Sequence, residues 1–366
     1  MAVLVVPLLM MSWSLGSVLS APGTDPVVAR LAEWGRNHGM SSVVTTLENW
    51  QYQLSPPKIG GAPSKALLTA GLTRTGTTAT APKGAVRSGV VPLHAPLTPV
   101  VTPGLSGEGV FRPVVTVKGQ PVVQVTYLRP DASHTSYLAG VAWMDARALR
   151  FVQHPGFLEP GHLSLWNQPD SLPPALRAGL AATFNSGFKL VDAHGGYYQN
   201  GHTVGTLRTG AASMVFYSNG SINIGSWGQD VSMTPQVTGV RQNLSLLIDK
   251  GQMVPSIDTN VQVNWGVTIK GAYYVWRSGI GITKNGNIVF VMGNAMSVRS
   301  LATVLLHAGA VRAMELDINP DWVSYMWYSP GSSPANPSPV KILPFARPAD
   351  RYLVPSSRDF VAVYAR

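Results

Sequence analysis

Acid–base chemistry is concentrated in one short segment, Ala310–Trp322, which reads AVRAMELDINPDW. A strand over this segment puts Val311, Ala313, Glu315, Asp317 and Asn319 on one face and Arg312, Met314, Leu316 and Ile318 on the other. Glu315 and Asp317 would then share a side, their Cα atoms about 6.6 Å apart at the usual strand rise. Two carboxylates on a buried face cost free energy unless they bind or react with something. The alternative is local: Glu315 pairs with an arginine, and Asn319-Pro320-Asp321 begins a turn.

The same stretch contains D-x-N-x-D, from Asp317 through Asn319 to Asp321, which copies the first half of a calcium loop. The sixth position holds Trp322 in place of glycine and the twelfth holds Tyr328 in place of glutamate, which excludes an EF-hand. No cofactor is expected, and calcium is retained only as an option in another geometry. Just downstream, Trp322, Tyr325, Trp327 and Tyr328 suit either stacking on sugar rings or an aromatic core.

Three further segments end in residues able to bind. TFNSGFKL carries Asn185, Gly187 and Lys189 where an apolar strand becomes a loop. NLSLLIDKG ends in Asp249-Lys250-Gly251, and WRSGIGI opens a strand with Arg277. Singly, each has a plain reading as a turn, a hairpin tip or a surface pair. His194 and His202 lie in a glycine-rich loop and either line a site opposite Asn185 or are ordinary loop residues. No histidine pair has zincin spacing and G-x-S-x-G is absent, which argues against a metalloprotease or serine hydrolase.

Helices and hairpins must position these residues. The spacing predicts a helix over Ser297–His307, with a serine cap and Gly309 as its stop, feeding straight into the acidic strand. Asn219-Gly220 and Asn285-Gly286 between alternating apolar runs predict hairpins in which both turn residues adopt positive φ. Lys118-Gly119-Gln120 separates another strand pair. Upstream, two short helices are expected, over Asp25–Met40 with Thr24 as N-cap and over Ser42–Tyr52, and a third over Pro173–Gly179.

The expected organisation has four parts. Residues 1–23 carry no charged side chain and read as a secretory signal or signal anchor lacking the usual basic start. Residues 24–54 form a short helical segment, and 55–107 a linker rich in Pro, Gly and Thr. Residues 108–366 form a single α+β domain rich in antiparallel or mixed sheet with flanking helices. Only 12% of the 366 residues are charged, with a net +10 and no Lys/Arg run. That pattern gives no nucleic-acid patch and fits an extracytoplasmic protein, membrane-anchored or secreted, that is drawn to anionic polymers or lipid. There is no cysteine, so disulfides, thiolate catalysis and Cys-based zinc sites are excluded.

The order of the motifs carries a resemblance. Asn185-x-Gly187-Phe188, then the Asp249-x-Gly251 hairpin, then Arg277-Ser278-x-Ile280-Gly281, then Gly309-Ala310-Val311 leading to Leu316-Asp317 is similar to the phosphodiester glycosidase family, whose bacterial members are often described as exopolysaccharide-associated. The resemblance spans roughly Leu180 to Asp317. It implies a hydrolase of sugar-phosphodiester or glycosidic linkages in cell-wall polymer or exopolysaccharide. It makes Asp317 the acid/base or nucleophile and Glu315 its partner, with Arg277 and Lys189 holding an anion. Asn185 and Gly187 would bind substrate, with Asn319 and His202 as further binding candidates.

The chain departs from the family where the glycine run and serine should follow Asp317; Ile318-Asn319-Pro320-Asp321-Trp322 stands there. Pro320 has no N–H for a phosphate. Glu315 replaces an asparagine, and Lys189 an aromatic residue. The alternative is therefore a non-catalytic glycan-binding or wall-organising protein on the same fold.

Overall fold

A computed structural model describes residues 2–71, 93–259, 264–266, 268 and 273–366. The described strands form three sheets. The first runs in the order β1 (Arg112–Val117), β2 (Gln120–Leu128), β3 (Ala139–Met144), β14 (Ile288–Met296), β13 (Val275–Thr283), β15 (Ala310–Glu315), β11 (Leu246–Asp249) and β12 (Gln252–Met253). The second runs β17 (Asn336–Lys341), β16 (Tyr325–Ser333), β5 (Leu180–Asn185), β18 (Phe360–Ala365) and β4 (Leu149–His154). The third runs β7 (His202–Val204), β6 (Tyr197–Gln199), β10 (Val237–Gln242), β8 (Ala212–Tyr217) and β9 (Ile222–Ser226). Every ladder among these strands is antiparallel. The α+β expectation, with its antiparallel sheet and flanking helices, describes this molecule.

The period of two sorts side chains between two cores. Along β14, Ile288, Phe290 and Met292 pack toward the second sheet, among Phe184, Tyr325 and Val361. Val289 and Val291 face the other way, under the helix Val298–His307. That helix buries Val298, Leu301, Ala302, Val304 and Leu305, a stripe at three- and four-residue spacing. Ser297 caps it, accepting from the Ser300 amide, while the Ser300 hydroxyl accepts from the Ser297 amide. The predicted helix and its stop at Gly309, φ +87°, are both present.

The hairpins form where expected, but two use a different turn. Only Gly220 and Gly286 take positive φ; Asn219 and Asn285 do not. In each, the glycine amide closes a turn three residues back, onto Tyr217 or Thr283, and the glycine absorbs the left-handed step. The Asn219 side chain instead accepts from the Ser221 amide, an Asx turn. In the turns at Lys118-Gly119, Asn200-Gly201 and Lys250-Gly251, by contrast, both residues take positive φ.

Among the described residues, four helices precede the sheets: α1 (Ala2–Leu19), α2 (Val27–Asn37), α3 (Ser41–Leu54) and α4 (Lys65–Gly71). Helix α2 starts after Pro26 with no side-chain cap, because the hydroxyl of Thr24, the expected cap, accepts from Arg347 instead. The predicted Pro173–Gly179 helix is one 3-10 turn, Pro174–Leu176. The expected linker is anchored at both ends. Gly60 and Thr135 bond Ser133 and Gly61, and His94 donates its amide to Gln124. Its middle, residues 72–92, lies outside the described residues. Among the described residues no helix is long and apolar enough to cross a membrane.

The expectation that Glu315 and Asp317 share a strand face fails for a local reason. Strand β15 ends at Glu315, opposite Gly279. Beyond it, Leu316 donates to the Ser278 carbonyl and the Ser278 amide donates to the Asp317 carbonyl, so two residues oppose one. Such a bulge breaks alternation and re-aims the side chains.

Candidate active site

After the bulge, Asp317 is fixed from several directions. Its backbone is held by Ser278, whose hydroxyl donates to the Asp317 carbonyl at 3.1 Å and accepts from its amide at 3.1 Å. Asn185, at the end of β5, donates to that same hydroxyl at 3.0 Å and accepts from the Ser324 amide at 3.0 Å. Asn185 thus joins three segments and braces Asp317.

The carboxylate of Asp317 is oriented oxygen by oxygen. Oδ1 accepts from the amides of Ile318 and Asn319 at 2.8 and 2.9 Å. Oδ2 faces the Arg358 guanidinium at 3.5 Å. Burial raises the Asp317 pKa to about 6, opposed by Arg358, by the two amides and by Arg241. Burial alone would lower Arg358, but Asp317, Glu33, Glu159 and Asp359 around it carry it above the ordinary value.

Arg358 was invisible to the sequence reading, as were Arg241 and Glu33. Arg241, on β10, is fully buried against Asp359 and also donates to the carbonyl of Phe188. Gly187 lies beside that guanidinium, where a Cβ would make ordinary contact with it at 3.4 Å. The Gly187 carbonyl accepts from Arg358 at 3.3 Å. Asn243, just beyond β10, donates to the carbonyls of Glu315 and Leu316 at 2.7 and 2.9 Å and completes the floor.

Glu33 closes the site from above. This helix α2 carboxylate lies 3.1 Å from Lys189 Nζ and 3.6 Å from Arg358 Nη1. Helix α2 is held down at its N-terminal approach, where Gly23 turns with φ +94° and packs against the Pro355 carbonyl so closely that a Cβ would stand 2.2 Å from it. Arg30 ties α2 to α1 by donating to the carbonyls of Val18 and Leu19 at the end of α1 and of Ala21 and Gly23 in the link that follows.

The other expected residues lie as follows. Arg277 and Glu315 bind one another at 2.6 Å, both side chains wholly buried, and Arg277 also donates to the Met296 carbonyl at 2.9 Å. Burial raises the Glu315 pKa and Arg277 opposes that shift. The local alternative for Glu315 is therefore the arrangement found. Asn319 turns its Oδ1 onto the Asp321 amide at 2.9 Å, so the D-x-N-x-D oxygens of Asp317 and Asn319 cap backbone amides. Among the described residues no group of three or more acidic, His or Cys side chains is placed to hold a metal ion. His202 is exposed on the edge strand β7, in a different sheet from β15. His194 lines a cavity of about 410 Å³ with Arg208, Leu244 and Asn264, which neither Asp317 nor Arg358 lines. Tyr325, Trp327 and Tyr328 belong to the core, and only Trp322 meets the site's arginines.

Residues 175–317, from just before β5 to the oriented aspartate, match the family model for phosphodiester glycosidases. This region belongs to the phosphodiester glycosidase family. Its match ends on Asp317, so the clamping Arg358 and the covering Glu33 lie outside the matched segment. No curated protein matches this sequence. Among solved structures it is similar to the zebrafish N-acetylglucosamine-1-phosphodiester alpha-N-acetylglucosaminidase catalytic domain, auto-inhibited by its pro-peptide. The two share 15% identity over 70% of this chain and 87% of that one, with a TM-score of 0.44. It is also similar to a hypothetical protein from Synechocystis, at 14% identity over 70% of this chain and 64% of that one, with a TM-score of 0.38.

Proposed function

We propose that this protein is an exported hydrolase that cleaves the bond between a sugar and a phosphodiester, with Asp317 as its working carboxylate. The observation that carries the reading is a single oriented carboxylate beside a cation clamp. Oδ2 of Asp317 points at Arg358, and Lys189 and Arg358 grip one anionic group, the Glu33 carboxylate. Ordinary glycosidases need a second carboxyl group to protonate the leaving oxygen. A phosphate leaving group is weakly basic and needs no such acid. The Glu315 carboxylate, bound to Arg277, is free to serve as support instead of as acid.

In this reading Lys189 and Arg358 hold the phosphodiester where Glu33 now sits, the guanidinium fork matching its oxygens. Ionised Asp317 takes a proton from water through Oδ2. That water attacks the anomeric carbon, the carbon–oxygen bond breaks, and its electron pair leaves on phosphate. Export rests on the uncharged apolar segment at residues 1–23, and the wall or exopolysaccharide substrate on the sparse charge and net +10.

The pH profile tests the mechanism. With Asp317 titrating at about 6 and working ionised, kcat/KM on a sugar-1-phosphodiester rises tenfold per pH unit below that value and levels above it. A profile that falls through the same pH would make Asp317 an acid and remove this scheme. Glu33→Gln should lower KM roughly tenfold, about the worth of one charge-assisted contact, by weakening the lid over the clamp. Initial rates against substrate concentration give the answer, and an unchanged KM would mean α2 does not compete with substrate.

A further inference from the structure

The segment that delivers Glu33 delivers a second acid to a second group of cations. Asp25, just before α2, ion-pairs with Arg347, and the Thr24 hydroxyl accepts from Arg347 Nη2 at 3.1 Å. Arg347 is 2% exposed, and its Nε and Nη1 have no hydrogen-bond partner. Arg351, equally buried, donates Nη1 to the carbonyls of Asp321 and Trp322 and to the Ser324 hydroxyl, while its Nε is unpartnered. Buried guanidinium nitrogens without acceptors are costly, and a site built to receive an anion carries that cost.

These groups surround one ring. The guanidinium carbons of Arg347, Arg351 and Arg358 lie 5.4, 5.7 and 5.1 Å from the Trp322 ring centroid. Arg347 and Arg358 are therefore no more than about 10.5 Å apart, a span that neighbouring phosphates of a sugar-phosphate chain can bridge. Two of the acids paired with Lys189, Arg347 and Arg358 belong to the N-terminal segment, Asp25 and Glu33; the body supplies Asp317 as an ion-pair partner of Arg358, with Glu159 and Asp359 also acting on that guanidinium. Burial lowers the Arg351 pKa, and Arg347 and Arg358 add to the effect. Lifting that segment takes away the acids paired with Arg347 and Lys189.

We propose that Arg347 and Arg351, over Trp322, form a second anion seat beside the Lys189–Arg358 clamp, so that the groove takes a polymer with two successive phosphates. This rests on the reading of the Asp317 site given above and names its substrate class: a sugar-phosphate chain, not an isolated sugar phosphodiester. Asp25 and Glu33 hold the places of the two phosphates in the covered form.

Synthetic glycerol-phosphate chains carrying one or two phosphodiesters test this, since they have no anomeric bond and are not turned over. The full chain bearing Asp25→Asn and Glu33→Gln, which loosens the segment, is titrated with each by calorimetry. The second phosphodiester should tighten Kd about tenfold or more. Adding Arg347→Gln should bring the two-to-one affinity ratio to about one, with Arg347→Lys between. Circular dichroism and Tm of both variants separate loss of the seat from loss of the fold, and the lysine variant carries the test if the glutamine one unfolds.

Equal affinity for the two chains in the opened protein overturns the second seat and leaves the first clamp standing. A gain that persists in both Arg347 variants overturns it too, since it reports general charge attraction. Binding of neither chain overturns both the seat and the phosphodiester reading.

Discussion

Asp317→Asn should lower kcat for a sugar-1-phosphodiester by about a thousandfold, the middle of the range for losing a positioned general base. Asparagine keeps the shape of the side chain. Its Oδ1 can still accept from the amides of Ile318 and Asn319, and the Ser278 bonds involve only backbone atoms of residue 317. Nδ2, however, has no charge and no lone pair for water, and it would face Arg358 donor to donor. The fold should survive, with a Tm near that of the parent, because the variant also relieves a buried carboxylate whose pKa burial has already raised. Sugar release under saturating substrate measures kcat, and scanning calorimetry checks the fold. Full turnover by Asp317→Asn would remove Asp317 from the mechanism.

The largest stability effect should come from Arg277→Ala, which strands Glu315 in the core. Truncating one partner of a buried ion pair costs about 3–5 kcal/mol, because the other charge is left without compensation. For a protein of this size that corresponds to a Tm lower by on the order of 10 °C. The loss depends on pH, and the sign follows from protonation. Burial holds the folded Glu315 pKa above its ordinary value of 4.5, so the folded state binds the extra proton. In the variant, without Arg277 to oppose burial, that rise is larger. Below the parent's own raised Glu315 pKa both folded forms hold the proton and the deficit is constant; it grows as pH rises above that value and shrinks on acidification. Chemical denaturation at pH 5 and pH 8 reads it directly. Equal deficits at both values would mean that Glu315 reaches water once Arg277 is gone. The double variant Arg277→Met/Glu315→Leu should recover most of the loss, since a pair replaced by apolar groups leaves no charge behind.

Much of the scaffold was legible because it is local. The serine cap, the apolar stripe and Gly309 mark the helix Val298–His307 within a dozen residues, and the hairpin glycines mark their own turns. Asp317 and Asn185 were readable because each sits where an apolar run stops. The bulge at Leu316-Asp317 was not, since it depends on which residue of β13 lies opposite, and period-two counting runs straight through it. Arg358 was missed for a different reason. It lies 41 residues beyond Asp317, in a stretch with no periodicity, and only the pairing of β18 with β5 and β4 carries it to the site. Glu33 sits on α2, in what the sequence reads as a short helical segment ahead of the linker. Nothing within that helix says that its polar face has a guanidinium waiting.

Strand β18 has a consequence for how the protein comes to life. It lies between β5 and β4, pairing with both, and Arg358 and Asp359 stand immediately before it. Contacts joined across so long a stretch of chain form late, because the intervening loop entropy must first be overcome. Until β18 inserts, the polypeptide has Asp317 but neither the guanidinium that faces it nor the acid that holds Arg241. Competence and closure of the second sheet thus arrive as one event. Refolding followed by enzyme assay should lag the appearance of the β8–β9 hairpin, and a chain stalled before that step is inert instead of partly active.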